Sequence, residues 1–146
     1  MIKRDVLDLA VVSAISSHLS LQVGVSDVPS DTPNIPYVIV FQSPSPGYTT
    51  YEYGGWSDPE DMPCFDFLIK SVGRDHRETA RTQSRVRDVM VARTPGGDGY
   101  TYPIIASGLI IIERATISPG AIVAAAGPSL FEVGDIYRVK VQEDAP

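Results

Sequence analysis

The sequence predicts an α+β fold: an antiparallel or mixed β-sheet of about four to five strands, two helices packed on one face, and an extended arm or hairpin. Residues Phe65–Val72 alternate apolar and mixed side chains with the period of two of a half-buried strand. The stretch after Asp75 carries apolar residues at helical spacing. The predicted order is helix, strand, possible hairpin, strand, helix, strand, strand, which suits helices covering one side of a sheet.

Length and composition favour a single domain over residues 1–146, with an arm projecting at about 43–63. The chain has 146 residues, of which 43% are hydrophobic, enough for an ordinary core. Its net charge of −6 weighs against a free-standing nucleic-acid binder, which has to neutralise phosphates. Cys64 is the single cysteine, as suits a chain folded in a reducing cytoplasm. The longest apolar runs fall far short of the roughly 20 residues that cross a bilayer, so we expect no membrane partner.

The first helix is expected to begin at Asp5, with Asp8 also suiting the positive end of the helix dipole, and to run to about His18 or Leu19. Its apolar residues wrap more than half of the circumference. They are Val6, Leu7, Leu9, Ala10, Val11, Val12, Ala14 and Ile15. One sheet face cannot cover them all, so either the domain folds over both sides of the helix or a neighbouring subunit covers the remainder.

The region between the first helix and Phe65 is expected to hold a loop, a strand and the arm. Gln22–Pro36 is rich in Gly, Pro, Asp and Ser and is interpreted as a loop. Tyr37–Gln42 has the β-branched and aromatic content of a central strand. Ser43–Pro63, the arm, contains Trp56 and three tyrosines. These aromatics either form a contact surface or lie across the outer face of the sheet.

The second helix is expected to start with a capping box, in which Asp75 accepts the first free N–H groups and Glu78 reaches back. Its inward face is predicted from apolar spacing and consists of Ala80, Gln83, Val86, Val89 and Met90. The helix and its flanks carry Arg74, Arg77, Arg81, Arg85, Arg87 and Arg93. This basic stripe is either an exposed face paired locally with Asp75, Glu78 and Asp88, a contact with acidic groups of a second copy, or a DNA-facing surface.

The C-terminal third is expected to supply the remaining strands. Leu109–Ile117 has an apolar first half that predicts burial on both faces, and a charged middle that predicts emergence toward solvent. Ser118–Pro128 is left open between a short helix and a connection. The last strand is expected to be bent at Gly134–Asp135, with Tyr137, Val139 and Val141 pointing inward.

Chemistry-bearing residues are sparse, and we expect neither an enzyme nor a cofactor or metal site. His18 and His76 lack Cys, His or acidic residues at a metal-site or catalytic spacing. The acidic residues Asp58, Glu60 and Asp61 do not follow the calcium-loop pattern. Without a suitably placed histidine, a serine nucleophile is poorly activated.

The order of elements resembles the tail terminator proteins of long-tailed, siphovirus-type bacteriophages. The resemblance depends on a long first helix followed by the strand Pro36–Val40 and an arm rich in turns. It continues in Phe65–Gly73 leading into a helix whose second half is Arg85–Met90, and in a late strand of the form Phe131-x-Val133-Gly134-Asp135-x-Tyr137-x-Val139-x-Val141. These are patterns of fold and size that cover most of the chain, and related neck proteins share them.

The resemblance implies a noncatalytic neck protein of the virion, assembled in the host cytoplasm. It implies a hexameric ring that caps the tail tube, stops its polymerisation and offers a surface for head attachment. The implied partners are further copies of the chain, the tail tube protein and the head–tail connector protein, with genomic DNA passing through the lumen without specific binding. An acidic lumen would repel that DNA.

Helix one, the strand edges and the arm are the expected contacts of such a ring. The predicted interface residues are Val11, Ile15, Tyr48, Tyr51, Tyr53, Trp56, Arg81 and Arg85. The alternatives are another head–tail joining or tail-completion protein, and a small-ligand-binding α+β domain in which Trp56 and the arm tyrosines wall a pocket.

Overall fold

A computed structural model of the chain describes residues 4–31, 33–42, 64–125 and 129–143. The elements are α1 (Arg4–Leu19), β1 (Gln22–Val25), β2 (Tyr37–Gln42), β3 (Cys64–Gly73), α2 (His76–Val91), β4 (Leu109–Ser118), β5 (Val123–Ala124) and β6 (Phe131–Glu143). The arm predicted at 43–63 lies outside the described residues.

The predicted α+β class is confirmed, with a mixed sheet of six strands rather than four to five. The strand order is β1-β2-β3-β6-β4, and β5 also pairs with β6. β1 runs parallel to β2, whereas the other pairings are antiparallel. Among the described residues the sheet is open, with β1 at one end and β4 at the other.

The two additional strands come from segments that the sequence did not assign to the sheet. Gln22–Val25 was predicted as loop, which is wrong, because its backbone pairs with Tyr37–Val40 in parallel register. Within the open segment after Ser118, Val123–Ala124 pairs with Phe131 and Glu132 of β6. Strands of four and two residues carry too little periodic pattern to be recognised locally.

Both helices pack on one face of the sheet, as predicted. They meet the inward residues of the three middle strands, which are Val38, Val40, Phe65, Phe67, Ile69, Tyr137, Val139 and Val141. Each of these is at most 1% exposed. α1 lies toward β1, and α2 spans β3, β6 and β4. These residues occupy every second position of their strands, so the inward face of the sheet follows from the period of two.

The N-terminus of α2 carries the predicted cap, but its inward face differs. The Asp75 carboxylate accepts a 2.7 Å hydrogen bond from the Glu78 N–H, while Glu78 Oε1 accepts from the Arg74 N–H at 2.9 Å. Ala80 is exposed, which corrects the predicted face, and the buried positions of the first turns are Thr79 and Thr82. Their hydroxyls donate to main-chain carbonyls one turn back, so no polar group is lost on burial.

β6 is one continuous strand, which includes the predicted bend position Gly134–Asp135. Its pairing with β3 is unbroken from Phe131 to Lys140. A Cβ at Gly134 would lie 2.9 Å from a methyl carbon of Leu68. The glycine therefore makes room for a neighbouring side chain, and no register shift with β3 occurs there.

β4 lies at the end of the sheet, so the prediction that both faces of its first half are buried is also wrong. Ile110 and Ile112 are 44% and 42% exposed. The two charged residues in the middle of β4 were predicted to reach solvent. Glu113 does, whereas Arg114 lies beneath α2 and is 6% exposed. A run of isoleucines is common to central and edge strands, and its spacing alone does not distinguish them.

Candidate subunit interface

Exposed large hydrophobic side chains mark two surfaces at opposite ends of the sheet. Among the described residues, the α1–β1 end carries Leu9, Val25 and Val28, and the β4–β5 end carries Ile110, Ile112, Ile117 and Val123. Four strand spacings separate β1 from β4, a distance of about 19 Å. A further exposed residue, Ile105, belongs to the α2–β4 connection. Clustered apolar exposure of this kind marks contact surfaces.

The α1–β1 surface is a groove, defined here by Asp5, Asp8, Leu9, Val12 and Val25, with a volume of about 250 Å³. Leu9 is 68% exposed and Val25 50% exposed. The groove exists because the apolar residues of α1 extend round more of the helix than the sheet covers. Of the two alternatives given for α1, the described part of the domain does not cover Leu9, and cover by a neighbouring subunit stays a prediction.

The β4–β5 surface is an edge with two irregularities in its pairing with β6. Register shifts fall between Ile111 and Glu113 and between Thr116 and Ser118. The residues left over at these bulges are Ile112 and Ile117, which are 42% and 40% exposed. A bulge redirects a side chain out of the regular alternation. Both isoleucines are therefore exposed on β4, the last strand of the sheet among the described residues.

A buried carboxylate holds the segment that joins β4 to β5. Asp135 is 2% exposed and accepts hydrogen bonds from the Gly120 N–H at 2.7 Å, Gln83 Nε2 at 3.0 Å, Arg87 Nη2 at 2.9 Å and the Tyr137 hydroxyl at 3.1 Å. Burial alone would raise the pKa of Asp135, but these four donors outweigh it and hold the pKa below its ordinary value. The cluster ties α2, β6 and the β4–β5 connection together.

The neighbours of Asp135 respond in the opposite direction. The hydrogen bond to Asp135 is the main cause that raises the pKa of Arg87, and burial followed by the charge of Asp135 raises the pKa of Tyr137. Gly120 is required by close packing, because a Cβ there would collide with the carbonyl oxygen of Gly134. The raised pKa values of Arg87 and Tyr137 keep the Arg87–Asp135 pair ionised and the Tyr137 phenol neutral at neutral pH.

Arg114 fixes the middle of β4 from the covered side. Its guanidinium donates to the carbonyl oxygens of Val89 at 3.2 Å and Tyr102 at 2.8 Å, and lies 4.0 Å from the centre of the Tyr100 ring. Burial lowers the pKa of Arg114. The Tyr100 hydroxyl in turn accepts from the Arg114 N–H at 2.7 Å. This arginine attaches the edge strand to α2 and is unavailable to an anionic partner.

A second groove of about 250 Å³ opens on the sheet face that the helices do not cover. Its lining residues are Cys64, Glu113, Ala115, Ile117, Arg138 and Lys140. Arg138 is engaged with Asp66, at 2.9 Å and 3.1 Å. Lys140 is the register partner of Glu113, so this groove carries charges of both signs at the same end of the molecule as β4.

The predicted interface residues have different surroundings. Val11 and Ile15 have no exposed surface and belong to the core of this chain, so they drop out of the interface. Arg85 donates to the Leu19 carbonyl at 2.9 Å and closes the C-terminal end of α1. Arg81 is exposed and, within the part of the chain described, makes no ion pair. Tyr48, Tyr51, Tyr53 and Trp56 lie outside the described residues.

Sequence reasoning missed Ile112, Ile117 and Asp135. Ile112 belongs to the apolar half of β4 that was expected to be buried, because nothing in the run signals a bulge, and no burial was predicted for Ile117. An aspartate inside an apolar strand is a usable signal, since a buried carboxylate requires donors. Its donors Gln83 and Arg87 lie about fifty residues away, separations of 52 and 48 positions, and therefore cannot be inferred from local sequence.

The described residues contain no group of three or more His, Cys, Asp or Glu side chains that could hold a metal ion. Each histidine packs on an aromatic ring: His18 lies 4.9 Å from Tyr102 and His76 4.6 Å from Phe131. In the same parts of the chain, no helix has the length and apolar character needed to cross a bilayer.

No protein-family model matches this chain, and no curated protein matches it in sequence. Among solved structures, the fold is similar to that of a chain in the virion of a native gene transfer agent (GTA) particle, with a TM-score of 0.57. The two chains are 12% identical, and the match covers 87% of this chain and 83% of that one. At this level of identity the likeness shows a shared fold.

Proposed function

We propose that this protein is a structural subunit of a phage-type virion. The pair of unlike apolar surfaces at opposite ends of one sheet is the observation that carries the proposal. Such surfaces stabilise contacts between copies by removing Leu9, Val25 and the edge isoleucines from water. The likeness over 87% of the chain to a component of a gene transfer agent virion supports a place in a particle of that kind.

Within that class, the proposed role is that of a tail terminator. In this role six copies form a ring, which caps the tail tube, ends its polymerisation and presents a surface for the head–tail connector. The sequence resemblance supports this role, and two unlike surfaces on one chain are compatible with a ring. The net charge of −6 suits a lumen through which genomic DNA passes without binding. Arg81 is proposed to meet acidic groups of a neighbouring copy.

Two alternative functions differ from the terminator role in what the chain binds. Another head–tail joining or tail-completion protein would use the same edges but would associate with the connector and leave tube length unchanged. A small-ligand domain would bind its ligand as a monomer. The aromatic wall expected for that pocket lies in residues 43–63, outside the described part of the chain.

Electron microscopy of the purified full chain, alone and with the tube protein of the same genome, tests the role. We expect closed rings with a central opening, a ring at one end of each tube, and shorter tubes as the ratio of chain to tube protein rises. Tubes of unchanged length with bare ends would contradict the terminator role.

A further inference from the structure

Positive and negative charges are distributed unevenly along the chain. From Asp5 to Ile69 the sequence has nine Asp and Glu residues and no Lys or Arg. Ten of the twelve Lys and Arg residues lie from Lys70 onward, and the other two are Lys3 and Arg4. The first half therefore has an excess of negative charge, whose counterions come from the second half or from another molecule.

Two exposed arginines on the first turns of α2, Arg77 and Arg81, form what we call the arginine face. Neither makes an ion pair with a described residue. The helix dipole disfavours a cation near the start of a helix, so Arg77 does not serve the stability of α2. The two guanidinium groups are available to another molecule.

The acidic residues of α2 and its cap do not neutralise this face. The Asp75 carboxylate accepts from the Glu78 N–H at 2.7 Å, and Glu78 Oε1 accepts from the Arg74 N–H at 2.9 Å. These two carboxylates thus lie against the positive end of the helix. Asp88 follows Arg81 by two turns, about 10 Å along the axis. The arginine face is therefore locally positive.

The loop between β1 and β2 has exposed carboxylates and lies across the opposite face of the sheet. Asp27 and Asp31 are exposed and make no ion pair within the described ranges. A Cβ at Gly24 would collide with the main chain of Asp27 to Pro29, so the loop covers the side to which Gly24 points. Val23 packs into the core beneath the helices, so Gly24 points away from them. The sheet therefore separates this loop from α2 of the same copy.

We propose that the arginine face of one copy binds Asp27 and Asp31 of a second copy. This inference rests on the proposed assembly and names the acidic groups that Arg81 meets there. A guanidinium binds a carboxylate through two parallel hydrogen bonds, which fix orientation as well as charge. Val28, 43% exposed between the two aspartates, packs in this contact against exposed Ala80 and the methylene stems of the arginines. The contact joins unlike surfaces, as a ring requires.

A second copy fits the arginine face better than DNA does. Two arginines neutralise few phosphates, and a net charge of −6 repels the remainder of a duplex. A second copy offers two carboxylates in a part of the sequence that has no Lys or Arg of its own.

Charge reversal in full-length variants tests this pairing. The arginine variant is Arg77→Glu with Arg81→Glu, and the loop variant is Asp27→Lys with Asp31→Lys. Glutamate in the first turn suits the helix dipole, so the arginine variant is expected to fold, as circular dichroism verifies. Each variant alone brings like charges together. We expect the concentration for half-assembly in native mass spectrometry to rise at least about tenfold for each.

An equimolar mixture of the two variants supplies the rescue. Every contact of an alternating ring then joins opposite charges, so we expect assembly at the concentration of the parent chain, with both variants in equal numbers. Asp98→Lys, a charge reversal in the exposed loop after α2, is the matched control and should assemble like the parent.

A second loop variant serves if the first does not fold. Asp27→Asn with Asp31→Asn keeps an oxygen acceptor for the Val28 N–H, which Asp27 binds at 2.7 Å. Alone, it should weaken assembly. Combined with the arginine variant, it should relieve the repulsion and not add to the loss.

Unchanged assembly of either double variant, a mixture that does not recover, or an equal loss in Asp98→Lys would overturn the pairing. An arginine variant that assembles normally but is no longer retained on double-stranded DNA would also overturn it and assign the face to DNA. In each of these cases a parent chain that assembles leaves the ring proposal standing. A parent chain that is monomeric alone and with tube protein contradicts the ring itself.

Discussion

At the scale of single residues, a carboxylate that is 2% exposed is stable only when donors replace the water it has lost. Asp135 accepts from four groups that belong to α2, the β4–β5 connection and its own strand. The cluster therefore couples local charge to the position of the proposed contact edge. Removing one donor would leave the others in place, whereas removing the carboxylate affects all four.

Asp135→Asn is expected to lower the free energy of unfolding by about 2 kcal/mol, because it removes the charge that Arg87 pairs with and reduces the acceptors. The loss stays below that of a wholly buried pair since Arg87 is 41% exposed. Urea unfolding measures it. Asp66→Asn is the control, since the Asp66 carboxylate is 17% exposed against 2% for Asp135, and should cost less than about 1 kcal/mol.

The pH dependence of the unfolding free energy shows whether the charge of Asp135, and not its shape, stabilises the fold. In the unfolded chain Asp135 should titrate near the ordinary value of 3.8, and its pKa in the folded chain is lower. Its stabilising effect is therefore present above about pH 4 and is lost as the pH falls through the folded-state pKa. The difference in unfolding free energy between the parent chain and Asp135→Asn should shrink below that pH. A difference that stays constant in acid would show that the ionised form is not responsible.

At the scale of elements, α2 depends on its first turn. Asp75→Ala removes the acceptor for the Glu78 N–H, and we expect a loss of about 1 kcal/mol in the free energy of unfolding. Asp75→Ser should recover most of it, because a serine hydroxyl accepts the same bond. Asp98→Ala, in the exposed loop after α2, is the control. Equal effects of Asp75→Ala and Asp98→Ala in chemical denaturation would contradict the capping argument.

The elements that sequence predicted are those whose pattern is long and local. A sustained hydrophobic periodicity marks both helices and the strands β2, β3 and β6. Asp75 is also a recognisable helix N-cap. β1 and β5 were missed because strands of four and two residues are determined by pairing with neighbouring strands and not by a local pattern. β4 was recognised as a strand but misplaced, since an edge and a centre share the same isoleucine-rich composition. The Asp135 cluster needed contacts about fifty residues apart along the chain.

At the scale of the whole molecule, the free ends of the sheet account for the proposed function. An open sheet with exposed isoleucines on one edge and an apolar groove at the other end invites association, which natural monomers usually prevent with charge or covering segments. Two unlike surfaces on one chain give either a closed ring or a filament, depending on the angle between them. A terminator requires the ring.

The mass of the full chain in solution tests this central claim most directly. Native mass spectrometry across a range of concentrations, alone and with tube protein, should show one discrete multiple of the 15.8 kDa chain mass, six in the proposed ring, without a ladder of larger species. A 15.8 kDa monomer under every condition, or an open-ended series of masses, would contradict the account.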